Sequence, residues 1–438
     1  MTAEPGWRAG CAATTLPIAP GTPLGGYMAR TSGATGTLDP LQIGVLHLEK
    51  QGRSLTLVTV DAIGVDAGLR DRIAATAGLD PATVLLCASH THSGPQGIVP
   101  RLHPIEPDAG DETLRAQVIG RAAGCIAQAS AALEPVTPGL VTVDASGAWT
   151  NRNAADGAND SRLRLFATRR GDGSVQAIVA LSACHPTVLG AESSAVSADL
   201  SGGIRRAIAA LPGASRATIL SLTGAAGDIS TRFVRRAATP AEIDRLAKIA
   251  TRHVPQALDG FTPIDADAAS LRHARASVAL PSFREHLAAD PEAEVAATSA
   301  ALEAIGPTVN PAALRQAITR HQGAILRARM AASDASTPPP VEVAAWVLDA
   351  STALVALPVE LFTSLGARIE RESPFRETLV VGYANGYAGY VADAAAWDAG
   401  TYEALASPFA RRAGEVLVAA VGDLLRSLQD AGAGASGR

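Results

Sequence analysis

The sequence predicts an α/β protein: a layered mixed-sheet catalytic domain with its site at the C-terminal ends of the strands. Three observations carry that expectation. Short apolar, β-branched runs alternate with stretches of helical periodicity. Hydrophobic residues make up 47% of the 438 residues and charged residues 18%, which is enough apolar material for a large core and excludes a disordered chain. The apolar runs also lead repeatedly into His, Asp, Glu or Tyr. Ligand sites in open α/β sheets form where strand C-termini meet loops.

In chain order, the expected strands are Leu55–Val60, Thr83–Cys87, Ala177–Ser182, Thr218–Leu222, Thr352–Leu357 and Thr378–Val381. Leu114, Val118, Ala122, Cys125, Ile126 and Ala129 recur at helical spacing between them. Thr239-Pro240-Ala241-Glu242 reads as a capping box with proline at the first helical position, followed by the stripe Ile243, Leu246, Ile249. Pro291 to Ala335 reads as mostly helical, closed by the stiff segment Ser336-Thr337-Pro338-Pro339-Pro340. Gly21–Gly36 reads as a glycine- and threonine-rich loop. Residues 1–430 are expected to form one catalytic domain and 431–438 a flexible tail.

Composition excludes several function classes. Lys+Arg is 37 against 42 Asp+Glu, a net charge of −5, which argues against a general nucleic-acid binder. Lys50 and Lys248 are the only lysines, so a Schiff-base enzyme is disfavoured. No apolar run reaches the roughly 18 residues of a membrane span. Met1 to Gly10 lacks a basic start and apolar stretch of signal-peptide type, so a cytoplasmic location is expected. Cys11, Cys87, Cys125 and Cys184 form no CxxC pair and read as buried thiols. Four of the five tyrosines, Tyr383, Tyr387, Tyr390 and Tyr402, crowd into one short stretch, which calls for an explanation.

The strand ends supply the chemistry. The first leads to Asp61, the second to His90 and His92, the third to His185, the fourth to Asp228 and Ser230, the fifth to Glu360, and the sixth opens the tyrosine cluster. In an extended His90-Thr91-His92 the two imidazoles share a side and can face one ion. Zinc takes such nitrogen ligands, and catalytic sites usually use three or four protein groups. Taken singly, an HxH is as readily a surface pair, and Asp61 reads as an ordinary polar strand end. Gly94 and Pro95 stand where a metallo-β-lactamase needs Asp and His. Neither a Gly-x-Ser-x-Gly elbow nor a phosphate loop is present. His47, His103, His253, His273, His286 and His321 show no site-like pattern.

Several segments, in register along most of the chain, resemble the neutral/alkaline (non-lysosomal) ceramidase family. They are Ala9-Gly10 through Pro20-Gly21 to Gly26-Tyr27, Ser89-His90-Thr91-His92-Ser93-Gly94-Pro95, Asn151-Arg152, His185-Pro186-Thr187, Gly227-Asp228-Ile229-Ser230, Pro358-Val359-Glu360, and Asn385 to Val391 with Tyr387 and Tyr390 inside it. The resemblance implies a Zn2+ held by His90, His185, Glu360 and Tyr390. It implies that Tyr402, followed by Glu403, is the second functional tyrosine, and that His92 and Arg152 line the substrate pocket. Asp228 and Ser230 are implied to hold the site together or touch substrate. Tyr402 is then the expected oxyanion donor and His92 the expected acid for the departing amine, while Tyr383 and Tyr387 are expected to be scaffold. Asp228 is also expected to orient a ligand.

The pattern is departed from at Ala225, where the family usually has asparagine, and at Asn153, where serine is common. The chain is expected to be a short member without the family's immunoglobulin-like domain. The implied activity is zinc-dependent hydrolysis of an N-acyl amide, ceramide being cleaved to fatty acid and sphingoid base. Two alternatives stay open: the same chemistry on another small amide, lactam or ester, and a non-catalytic binding protein on the same fold. The low aromatic content argues against a long-chain lipid.

Overall fold

The computed structural model describes residues 6–264, 271–286, 290–305, 310–333 and 338–436. Its architecture is one plan used three times. In each unit an outer strand pairs antiparallel with a hairpin. A helix then returns the chain to a last strand that lies parallel to the second strand of the hairpin.

The first unit is Arg8–Leu16, Leu41–Lys50, Arg53–Val60, the helix Ala67–Ala77 and Val84–Ala88. The second is Thr137–Asp144, Arg162–Arg169, Val175–Ser182, the helix Asp199–Ala209 and Thr218–Thr223. The third is His273–Val278, Val341–Asp349, Thr352–Ala356, the helix Thr363–Glu372 and Glu377–Val381. Short strands Glu134–Pro135 and Thr262–Pro263 extend the first two sheets at their edges. The first hairpin turns at Gln51-Gly52, both with positive φ (51° and 75°), the geometry whose twist matches paired strands.

All six expected strands are present. Their apolar runs are continuous because both faces of each sheet are covered. Inner faces meet in one shared core, with Leu46 and Leu85 from the first sheet, Phe166 and Leu222 from the second, and Trp346 and Leu379 from the third. Outer faces are covered by helices. Ala67–Ala77 and Glu112–Ala131 pack on the first, Asp199–Ala209 and Pro240–Thr251 on the second, and Thr363–Glu372 and Ala413–Ser436 on the third.

The capping reading at Thr239 is half realised. Thr239 accepts from the Glu242 amide, but the Glu242 carboxylate takes the Arg236 amide instead of reaching back. The Pro291–Ala335 region contains the helices Pro291–Glu303 and Pro311–Ala332. Ala335, Ser336 and Thr337 lie outside the described residues. The closing helix runs through Ser436, into the segment expected as a tail. Cys87, Cys125 and Cys184 are buried free thiols, and Cys11 is half-buried.

The three parallel strands end against one another. The Ala88 amide donates to Tyr383 O (3.0 Å) and the Gly382 amide to Thr223 O (2.9 Å). The Thr223 hydroxyl donates to Ser89 O (2.9 Å). The first, second and third units are thereby tied together at the point where their chemical residues emerge.

Candidate metal centre

His90 follows the Val84–Ala88 strand with φ +62°, in the left-handed region. The expected strand alternation is therefore not what aims His90 and His92 together: the segment is irregular there, and the convergence comes from a left-handed residue. Such backbone is held in place only when its surroundings fix it. Here the His90 ring stacks on Tyr383 (4.1 Å between centroids), itself at φ +53°. Asn385 (φ +58°) exchanges two bonds with Leu86, its amide donating to Leu86 O (2.7 Å) and its side-chain oxygen accepting from Leu86 N (2.9 Å). Through Asn385 the tyrosine segment of the third unit is locked to the strand that delivers His90.

His185 leaves the Val175–Ser182 strand and is fully buried. Glu360 and Tyr390 sit directly opposite each other in the short parallel pair Glu360–Leu361 and Tyr390–Val391. Each unit thus contributes to one centre. Glu360 Oε2 lies 2.9 Å from His185 Nε2 and 3.3 Å from His90 Nε2. The ring nitrogens of His90, His92 and His185 lie within 4.8 Å of one another.

The hydrogen bonds behind the rings fix their tautomers. His90 Nδ1 faces Ile63 O at 2.6 Å and His185 Nδ1 faces Ala226 O at 2.7 Å. A carbonyl only accepts, so both Nδ1 atoms carry the proton and both Nε2 atoms turn lone pairs inward. His90 Nε2 also has His92 Nε2 at 3.3 Å, and two lone pairs facing a carboxylate oxygen form a set of acceptors that a bound cation would satisfy. Imidazoles held from behind by carbonyls are the usual setting of metal ligands. This donor set of nitrogen and oxygen fits zinc.

The electrostatics agree. Burial, assisted by nearby Arg152, pushes His185 down to about 4, so its ring is neutral at pH 7. Burial raises the Glu360 carboxyl, and positive charge on its His90–His185 side, which the neutral rings do not themselves supply, holds it well below the usual carboxylate range. His92 is pushed well down by burial and by the two neighbouring imidazoles. Its Nδ1 is buried without a hydrogen-bond partner.

Of the nine expected site residues, seven line a single cavity of about 530 Å³: His90, His92, Arg152, Ser230, Glu360, Tyr390 and Tyr402. His185 lies behind its wall. Asp228 is elsewhere: its carboxylate accepts from Asn151 Nδ2 and from the Thr363 amide, both at 2.8 Å. The expectation that Asp228 partners a histidine or carboxylate ligand is corrected: the carbonyls of Ile63 and Ala226 back His90 and His185, and the Tyr387 hydroxyl donates to Glu360. Asp228 instead ties the Asn151-Arg152 loop to the start of the Thr363–Glu372 helix.

Arg152 makes a buried ion pair with Glu403 (2.6 Å) and donates to the Tyr390 hydroxyl (3.1 Å). Asn153, one of the departures noted above, donates to the other Glu403 oxygen at 3.0 Å. Burial raises the Tyr390 hydroxyl well above its ordinary value, with Arg152 opposing. Tyr402 stands edge-on to Tyr390 (5.9 Å), its hydroxyl pushed by burial up to about 12. Ser230 Oγ accepts from the Arg232 amide (3.2 Å).

Two solved structures share this architecture. One is the neutral ceramidase from Pseudomonas aeruginosa, with a TM-score of 0.72 and 17% identity over 97% of this chain and 75% of that one. The other is a ceramidase complexed with C2, with a TM-score of 0.72, 16% identity and the same coverage. This chain has the neutral ceramidase fold. No protein-family model and no curated protein matches its sequence.

Within the ceramidase fold, three contributors escaped the sequence reading. Tyr387, expected as scaffold, donates its hydroxyl to Glu360 Oε1. Glu403 neutralises Arg152. Tyr27 packs its ring 5.0 Å from His92, while Gly26 backs onto that imidazole. The tyrosine crowding was the one signal that pointed toward Tyr387. Tyr383 does fill the expected scaffold role, fully buried beneath His90. Asp61, read as an ordinary strand end, forms a buried bidentate pair with Arg205.

Proposed function

We propose that this protein is a zinc-dependent hydrolase of N-acyl amides, ceramidase-like in its chemistry, with residues 1–430 forming the catalytic domain. The observation that carries the reading is the inward convergence of His90 Nε2, His185 Nε2 and Glu360 Oε2 at 2.9–3.3 Å, with both Nδ1 atoms committed to carbonyls. The ceramidase fold supports it. His90, His185, Glu360 and Tyr390 are the proposed ligands. A zinc ion held there supplies a Lewis acid that polarises a carbonyl and acidifies a water.

The chain's own residues supply the rest. The Tyr402 hydroxyl, protonated at neutral pH, donates to the acyl oxygen as it gains negative charge. His92, neutral and unpartnered at Nδ1, carries the proton from the attacking water to the departing nitrogen. The water oxygen joins the acyl carbon, the carbon–nitrogen bond breaks, and a carboxylic acid and an amine result. Arg152 anchors Tyr390, Tyr387 orients Glu360, and Asp228 holds the Arg152 loop. Ser230 forms part of the wall.

Ceramide or another N-acylated lipid is the first substrate class to test. The charged cavity wall favours a second reading, the same chemistry on a smaller amide, lactam or ester. Among the described residues no helix is long and apolar enough to cross a membrane. The free cysteines are in keeping with a reducing, cytoplasmic location.

Metal analysis with an acyl-chain series tests the proposal. About one zinc per chain is expected, lost in His90→Ala, together with release of amine from N-acyl amides. Protein free of stoichiometric metal and inert toward the whole series would refute it. Protein that binds metal and ligand without turnover would make it a binding protein on this fold.

A further inference from the structure

The cavity wall carries more positive charge than the reaction uses. Five arginines line it: Arg30, Arg152, Arg232, Arg235 and Arg315. Two are accounted for. Arg152 is neutralised by Glu403. Arg30 spends its donors on four backbone carbonyls, those of Gly25, His92, Gly190 and Ser193, and lies near Glu192. It is a strut.

The other three are different. Arg232 uses one nitrogen on Arg152 O (2.8 Å), and Arg235 uses one nitrogen on Thr187 O and Val188 O (2.7 and 2.8 Å). Each keeps guanidinium donors in reserve. Arg315, in the first turns of the Pro311–Ala332 helix, makes no side-chain bond among the described residues. None of the three has a carboxylate within 4.0 Å among the described residues.

They act on common ground. Arg235 and Arg315 both bear electrostatically on the Tyr27 hydroxyl, whose ring packs on His92. Burial, joined by the charges of Arg152, Arg315 and Arg235 and opposed by Glu403, pushes Arg232 down to about 10. Two acids, Glu106 and Glu192, also line the wall, against the five arginines; burial raises the Glu106 carboxyl, and Glu192 lies by Arg30. Like charges gathered in a concave, partly desolvated wall repel one another, and an anion entering relieves that cost. Guanidinium forks match carboxylates and phosphates in geometry.

We infer that the amide this site takes carries an anionic group, of the carboxylate class, received by Arg232, Arg235 and Arg315 while the acyl bond lies at His92 and Glu360. The inference rests on the amide-hydrolase reading and narrows it, away from an uncharged long-chain lipid.

The test compares N-hexanoylglycine with N-hexanoylethanolamine, two amides of matched size that differ in a carboxylate against a hydroxymethyl group. Binding to the metal-loaded protein is measured by titration calorimetry, at low and high salt. Where turnover occurs, the ratio of kcat/KM values replaces the ratio of Kd values. The acid is expected to be favoured about tenfold or more, the scale of a charge-assisted hydrogen bond. That preference should shrink in Arg315→Gln, in Arg232→Gln, and in high salt. Equal affinity, preference for the neutral amide, or no binding of either overturns the inference. Turnover confined to uncharged amides keeps the hydrolase and removes the anion. Salt-sensitive binding of the acid without turnover of any amide keeps the anion pocket and removes the hydrolase. A preference that persists unchanged in both variants also refutes the assignment to these arginines.

Discussion

Removing the charge of Glu403 is the sharpest probe of how this centre is held. Its carboxylate lies 2.6 Å from Arg152 Nε, with side-chain exposures of 1% and 8%, so solvent screening is small. At an effective dielectric of about 20, two unit charges at that distance attract by roughly 6 kcal/mol before desolvation is counted. Much of that offsets the cost of burying the charges. The measurable quantity is what remains when one partner is lost, about 3–5 kcal/mol for a buried pair. Burial works against the Arg152 charge, but Tyr390 and Glu403 outweigh it and keep the guanidinium protonated.

Glu403→Gln removes the paired charge and leaves that cation neutral acceptors, the Tyr390 hydroxyl and the new amide oxygen, with Glu360 as the remaining nearby charge. Urea unfolding should show a loss of about 3–5 kcal/mol, and Arg152→Met a similar loss. The double variant Arg152→Met/Glu403→Gln should recover part of it, giving a coupling energy of about 2 kcal/mol or more in a double-mutant cycle. Single losses below about 1 kcal/mol that simply add would show that the pair does not organise the site, and the role given to Arg152 would fall with it.

Three further outcomes follow from the same geometry. Tyr387→Phe removes the donor to Glu360 Oε1 and should weaken metal affinity by about 10- to 100-fold in a chelator competition, with only about 1 kcal/mol lost in stability. Gly26→Ala places a methyl 2.6 Å from the His92 ring at a backbone φ of +96°; it should cut kcat while metal content by elemental analysis stays at the wild-type level. Burial pushes the Asp199 carboxyl up to about 6 from an ordinary 3.8, against three backbone donors. A raised acid favours the folded state most when protonated, so this contribution is complete below about pH 3.8 and is lost as pH rises through about 6. The span is about 3 kcal/mol, and Asp199→Asn should flatten that part of a urea-midpoint-against-pH curve.

Much of the fold was legible because both faces of each sheet are buried, leaving apolar runs such as Val175–Ser182 and Thr352–Ala356. The strands that were missed carry polar residues whose partners are remote in sequence. Arg162–Arg169 contains Arg164, buried at its side chain and neutralised by Glu370 and Asp160. Leu41–Lys50 contains His47, bonded to Thr56 across the hairpin at 2.8 Å. A charge that finds a partner 206 residues away reads locally as a surface residue. The threefold plan was equally hidden, because it is preserved in topology and not in residue type. In the site, histidines stood out through their setting after strands. Tyr387 and Glu403 did not, since their roles depend on where one carboxylate and one guanidinium point.

The meeting of three units at one point has a consequence for assembly. His90, His185 and Glu360 come from successive units, so closing the centre demands contacts across hundreds of residues of chain. Such long-range closure is slow and costs chain entropy before it is rewarded. No unit could hold the proposed ion alone, and an ion seated there would resist the separation of all three. Metal uptake would therefore serve as a clock for the last stage of folding: zinc stoichiometry should rise only as the native tertiary signal completes, and chelation should loosen the seam before it loosens any single sheet.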